Sequence, residues 1–289
     1  MYYFIILLGA FILAFQGIGL KRYQKTMNNV KPFLFNGFCY FVSFLVSLLF
    51  LKSINFPSIK VFILSLLFGF FFVVTIYFYN KCMSLGPVSM STMFLSLGLV
   101  FPVIFSIFYL KEEITAVKII GFMLVLSIII LSTDFKEKKG NKKFFISSVF
   151  LMFFNGILGI LQTISTSVSQ KTDEGYFTAF GYLAAFVFAL LFYIIISFKN
   201  SDKDKLFAPM KNKNFYICAL IAGGASGFGV NLIFYTLSFL PNSIAHSISN
   251  GSLILFSTIL SIVIFKEKLN KKNILILITG SIAIILLSI

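Results

Sequence analysis

Ten apolar runs take up most of the 289 residues, and they leave the chain few ways to fold. They are Tyr2–Leu20, Phe33–Leu51, Val61–Tyr79, Val88–Leu110, Ile114–Leu131, Phe144–Ser167, Tyr176–Ser197, Phe215–Tyr235, Ser243–Phe265 and Ile274–Ser288. A helix needs about 20 apolar residues to cross the hydrocarbon core of a bilayer, and these runs are of that order. No water reaches the lipid core, so each run must satisfy its backbone internally, which continuous apolar runs do as helices. Composition agrees: 59% of residues are hydrophobic and 11% charged, where a soluble domain carries about 25% charged residues. No connection has room for a large soluble domain. The expected fold is all-α, a polytopic membrane protein of ten transmembrane helices.

The chain makes one element twice. Val88–Leu110, the turn Lys111-Glu112-Glu113 and Ile114–Leu131 return 155 positions later as Ser243–Phe265, Lys266-Glu267-Lys268 and Leu269–Leu287. A second stretch repeats at an offset of 142, where Phe35, Phe38, Tyr40, Phe44 and Leu48 match Phe177, Phe180, Tyr182, Phe186 and Leu190. The offset grows because the connection Phe198–Asn214 is longer than Lys52–Lys60. A Lys-rich linker, 134–143, then divides the chain into repeats 1–133 and 144–289. Each repeat holds five helices, an odd number, so the second enters the membrane in the opposite sense to the first. Inverted repeats are a common plan of secondary transporters, which hold substrate between the halves near the bilayer midplane. The expected mechanism is alternating access by rocking of the two halves.

The net charge is +15, with 24 Lys and Arg. Nineteen of these fall in odd-numbered connections and five in or beside even-numbered ones, Lys118 lying just inside the fifth run. Positive residues mark the cytoplasmic ends of membrane helices, so the odd connections are expected in the cytoplasm and both termini outside. Charge placed in this way argues against nucleic acid as a partner. The expected partners are the lipid bilayer and a small-molecule substrate. The chain is expected to act as a monomer or homodimer, multi-pass in the cell membrane, a bacterial inner or plasma membrane. Met1–Leu20 has no basic start and no small-residue cleavage site, so it reads as the first membrane helix rather than a removable leader. Cys39, Cys82 and Cys218 have no metal-ligand spacing and read as packing residues. No metal or other cofactor is expected. No ATP-binding motif or catalytic constellation is visible, so an enzyme is not expected.

All nine carboxylates, Glu112, Glu113, Asp134, Glu137, Asp173, Glu174, Asp202, Asp204 and Glu267, lie in connections or at helix ends. Carboxylates inside a membrane serve as proton relays and cation sites. Their absence points to a neutral, zwitterionic or weakly anionic solute held by hydrogen bonds and aromatic faces. Polar residues within the runs are the candidate substrate-binding positions. His246, the single histidine, shares a helical face with Ser249, Asn250 and Leu253, and an imidazole can bind a solute or carry a proton. Gln16 lies in the first run and Asn155 and Gln162 in the sixth, its counterpart. An amide in lipid needs a partner, so these residues line a cavity or bond a neighbouring helix. Tyr77 and Asn80 close the third run, and Asn231 and Tyr235 stand four apart in the eighth. Their rings and amides can hold a solute or sit in the interfacial belt. Ser91 completes the set, facing the His246–Gly251 stretch of the copied element. Gly223 and Gly227 form a small-residue step for close helix packing. Pro102, with Ser257 at its place in the copy, marks a kink and hinge.

Taken together, ten helices in two inverted fives, Pro102 in the fourth helix, and the acidic turns Lys111-Glu112 and Lys266-Glu267 resemble the EamA-like branch of the drug/metabolite transporter superfamily. The resemblance spans the whole chain through short motifs. The family's usual Gly-Glu stands here as Lys-Glu both times. A basic residue often found in the second helix is absent, and Cys39 and Tyr40 occupy that region. The resemblance implies transport of a small metabolite, such as an amino acid or nucleobase-like compound, through a cavity lined by both halves. It also implies cytoplasmic termini, against the charge count. A choline-like organic cation is the alternative solute, although the absence of Trp removes the best cation–π partner. A membrane-embedded enzyme would need a buried nucleophile–base or metal set, and a non-transporting subunit would lack the cavity.

Overall fold

Proline and glycine set where several of these helices begin, end and break. The computed structural model describes all residues except 28–30, 52–56, 110, 112–114, 118, 122, 125–126, 128–138, 169–174, 200–207, 241, 270 and 289. Among the described residues every regular element is a helix. After α1 (Tyr2–Met27), α2 (Pro32–Ser47) starts on a proline, whose missing N–H is no loss in a first turn. In α3 (Ile59–Leu85) the Ser58 hydroxyl accepts from the Val61 N–H, and Gly86-Pro87 ends the helix. The fourth run forms two pieces, α4 (Val88–Leu97) and α5 (Val100–Tyr109). The second half holds α6 (Lys139–Val168), α7 (Tyr176–Lys199), α8 (Lys213–Leu237), α9 (Asn242–Phe265) and α10 (Lys271–Ser288). Half of the fifth run, Ile114–Leu131, lies outside the described residues. Among the described residues eight paths are long and apolar enough to cross a membrane, with α4 and α5 counted as one, and α10 adds the shorter apolar stretch Leu277–Leu286.

Two differences from the sequence reading have simple causes. Helices outrun the apolar runs that predict them, as α1 continues to Met27 and α6 begins at Lys139. Polar ends project beyond the lipid, so hydropathy marks the spanning part of a helix rather than its ends. The kink expected at Pro102 is a break one turn earlier, at Gly98-Leu99. A proline ring meets the carbonyl four residues back, and here that carbonyl belongs to Gly98. The Gly98 carbonyl accepts instead from Phe101 N–H at 3.1 Å, and Leu95 accepts from Gly98 N–H at 3.1 Å, a tighter pattern than an α-helix.

Helix pairing follows the repeat. In chain order α1 corresponds to α6, α2 to α7, α3 to α8, and the α4–α5 path to α9. Under that exchange the contact of α1 with α8 becomes that of α6 with α3, and α3 with α7 becomes α8 with α2. Likewise α1 with α9 becomes α6 with α4, while the pairs α2–α7 and α4–α9 map onto themselves. This is the arrangement of two repeats about a pseudo-twofold axis, and it interleaves the halves rather than setting them side by side. Small residues bring the interleaved helices close. A Cβ built on Gly69 of α3 would lie 2.6 Å from the Gly181 carbonyl oxygen of α7. One built on Gly227 of α8 would lie 3.0 Å from the Ser43 carbonyl oxygen of α2. Gly223 packs on the Cys39 carbonyl in the same way, so the Gly223–Gly227 step is a packing seam.

Candidate functional site

Where the halves interleave, a cavity of about 100 Å³ remains, and both halves line it. From the first half, α1 contributes Leu13 and Gln16, α3 contributes Phe68, Phe72, Thr75 and Ile76, and the α4–α5 path contributes Leu95, Leu99 and Pro102. From the second half, α6 contributes Asn155, Leu158, Gly159 and Gln162, α8 contributes Val230 and Ile233, and α9 contributes His246, Ser249, Asn250 and Leu253. The polar side chains are all uncharged amides, hydroxyls or the one imidazole. Gln16 and Gln162, on corresponding helices, make no hydrogen bond to protein among the described residues, so both amides are available to a solute. Asn155 donates to the Leu95 carbonyl at 2.8 Å, an acceptor that the Gly98-Leu99 break shifts from the Leu99 N–H to the Gly98 N–H. His246 Nε2 lies 3.4 Å from the Thr163 hydroxyl, and the His246 carbonyl accepts from Ser249 at 3.0 Å and Asn250 at 2.7 Å. Phe68 and Phe72 stack at 5.5 Å between centroids and form the aromatic side of the cavity. No cluster of His, Cys, Asp or Glu able to hold a metal occurs among the described residues.

The profile of the EamA-like transporter family matches residues 1–134 and again residues 140–289. The chain belongs to the EamA-like transporter family. Membership makes it a multi-pass membrane transporter of small solutes. A solved structure, titled "Crystal structure of protein", aligns over 97% of this chain and 95% of its own at 16% identity and a TM-score of 0.62. At that identity the likeness shows the fold alone. No curated protein matches the chain.

In this EamA-like transporter five of the sequence-predicted site residues come together around the cavity: Gln16, Asn155, Gln162, His246 and Asn250. The other five lie elsewhere. Tyr77 is 37% exposed and stacks on Phe33 in a separate notch between α2 and α3. Asn80 donates to Asn36 Oδ1 at 3.1 Å and its carbonyl accepts from Gln24 at 2.9 Å. Ser91 donates to the Pro87 carbonyl at 3.0 Å. Asn231 accepts from Thr178 at 2.6 Å and donates to Ser47 at 2.7 Å and to the Gly227 carbonyl at 2.8 Å, tying α2, α7 and α8 together. Tyr235 borders a mostly apolar hollow of about 450 Å³ near the ends of α1, α2 and α8. Among the cavity residues that sequence reasoning missed are Phe68, Phe72 and Thr75. Their steps of four and three mark one face of α3, but 40 phenylalanines hide that signal.

The helix ends beside the odd-numbered connections are tied shut. Tyr79 Oη and Thr92 Oγ1 lie 2.8 Å apart, and Lys21 Nζ donates to the carbonyls of Met83 and Gly86. Glu267 accepts from the Val88 N–H at 3.0 Å and so caps α4 from the end of α9. The ammonium of Lys25 sits 4.6 Å from the centre of the Phe265 ring. Lys266 and Lys111, which precede Glu267 and Glu112 in the two copies of the turn, both take left-handed backbone angles, φ 53° and 56°. Glu112 itself lies outside the described residues.

Proposed function

We propose that this transporter moves a small neutral, zwitterionic or weakly anionic metabolite, of amino-acid or nucleobase type, by alternating access at the cavity between the halves. The observation that carries the reading is the lining. Two glutamine amides, one from each half and without protein partners among the described residues, face a space with aromatic faces on one side and no charged side chain. A solute with hydrogen-bonding groups and no net charge can leave water there, because the amides replace its hydration. An organic cation would lose its hydration without a carboxylate to balance it, which is costly at membrane depth. Rocking is supported by the pseudo-twofold pairing, which makes each half wall the cavity against the other. It is supported also by the ties among α1, α3, α4 and α9, which close one end of the bundle.

Uptake into proteoliposomes across a panel of amino acids, nucleobases and choline-like cations tests the proposal. Saturable uptake of one uncharged or zwitterionic class is expected, with counterflow of the same solute. Saturable uptake of choline-like cations alone would refute the solute class. No flux of any solute from a folded sample would refute the mechanism as well.

A further inference from the structure

We propose that the notch between α2 and α3, beside the odd-numbered connections, binds the phosphate of an anionic phospholipid headgroup. The notch has a volume of about 200 Å³ and lies away from the central cavity. Pro32, Phe33 and Asn36 line it from α2, and Tyr77, Asn80 and Lys81 from α3. The start of α2 has no side-chain cap, so its first amide groups and its dipole favour a negative charge.

A helix start is not a site on its own, and the buried wall of the notch supplies the second observation. Asn36 is only 1% exposed. Its Oδ1 is taken by Asn80 Nδ2 at 3.1 Å, while its own Nδ2 has no acceptor among the described residues and is left to the notch it lines. A buried amide donor without an acceptor is costly, and a phosphate oxygen would satisfy it. Lys81 lines the notch, and Lys31 adjoins it in the chain at the start of α2. Lys81 is exposed, and its ammonium lies 6.0 Å from the ring centres of Tyr77 and Phe78, with no carboxylate beside it among the described residues. Lys31 directly precedes Pro32, and its buried ammonium has no hydrogen-bond partner among the described residues, lying 5.9 Å from the Tyr193 ring centre. Glu267, the one carboxylate among the described residues, is engaged with Val88.

The chemistry of the rim favours a lipid over a free anion. Tyr77 and Phe33 stack at 5.6 Å and 9°, giving an apolar shelf beside the polar wall. Tyr77 is 37% and Leu85 41% exposed, as side chains facing lipid would be. Tyrosine is enriched at the level of the headgroups, and basic pockets between helices take anionic headgroups.

The test compares the full-length protein in nanodiscs of phosphatidylcholine with and without phosphatidylglycerol. Native mass spectrometry reads retained lipid, and thermal unfolding reads stability. Wild type is expected to retain phosphatidylglycerol and to unfold at a higher temperature in its presence. Lys81→Gln should weaken retention roughly fivefold, the equivalent of about 1 kcal/mol per basic residue at a charged surface. Lys31→Gln should add to that loss. Lys142→Gln, at an exposed lysine beside another odd-numbered connection, should change nothing. The unfolding temperature in phosphatidylcholine alone reports folding, and exposed Lys81 carries the test if Lys31→Gln lowers it. The proposal fails if the Lys31→Gln/Lys81→Gln pair keeps the effect, or if Lys142→Gln loses as much as Lys81→Gln. It fails also if inorganic phosphate in phosphatidylcholine discs reproduces the stabilisation, since the site would then take a free anion.

Discussion

Gln162 and Asn231 are both amides within membrane-spanning helices, yet Gln162 faces the cavity without a protein partner among the described residues and Asn231 holds three hydrogen bonds. Their substitutions should therefore separate binding from stability. Gln162→Leu removes a hydrogen bond only when solute is bound. It is expected to raise KM about three- to tenfold, the worth of one such bond, and to leave the unfolding temperature unchanged. Asn231→Leu removes the bonds joining α2, α7 and α8. Its expected cost is about 1–2 kcal/mol of stability, with KM unaltered in the protein that still folds. A KM effect in Asn231→Leu comparable to that in Gln162→Leu would place the solute elsewhere. In the sequence the two residues look alike, because which neighbour meets an amide depends on helices far away in the chain.

At the scale of elements the two informative features are the α4–α5 break and the Glu267 cap. Pro102→Ala restores an N–H that can reach the Gly98 carbonyl and removes the ring that meets it, so the two pieces can join into one helix. A proline within a helix costs about 3 kcal/mol, so stability should hold or rise. If the break serves movement, turnover should fall, as initial uptake rates at saturating solute would show; an unchanged rate would leave the break a matter of packing. Glu267→Ala removes a charge-assisted bond and a favourable charge at the start of α4, together about 1–2 kcal/mol. Hydrogen exchange at the Val88–Ser91 amides is expected to quicken at least about fivefold as that end loosens. Equal exchange in both proteins would mean that the first turn of α4 is held by packing alone. The copied Lys-Glu turn was legible as a helix boundary. That its carboxylate reaches back across the halves to cap α4 was not, since Glu267 and Val88 are 179 residues apart.

At the scale of the whole molecule, orientation follows from charge. With nineteen of 24 basic residues beside the odd-numbered connections, that end should face the cytoplasm. The expectation can be read by single-cysteine labelling, in a background where buried Cys39, Cys82 and Cys218 are replaced. A cysteine at exposed Lys142 should react with a membrane-impermeant reagent only in inverted vesicles, and one at exposed Ser238 only in intact cells. The reverse pattern would show that the charge bias does not set the insertion of this chain.

Much of the architecture was determined by sequence alone. Runs of about 20 apolar residues must be helices in lipid because no water is there to satisfy their backbones. A copied element in a five-helix repeat must enter inverted because five is odd. The polar residues that lie within the membrane were also legible, since amides and an imidazole stand out in apolar runs. Only the tertiary structure decided which of them share a cavity. Gln16, Asn155, Gln162, His246 and Asn250 meet because α1, α6 and α9 converge beside α3. Asn80 and Asn231 are consumed by neighbouring helices. An amide in a membrane must find a partner, and whether that partner is protein or solute depends on how the halves interleave.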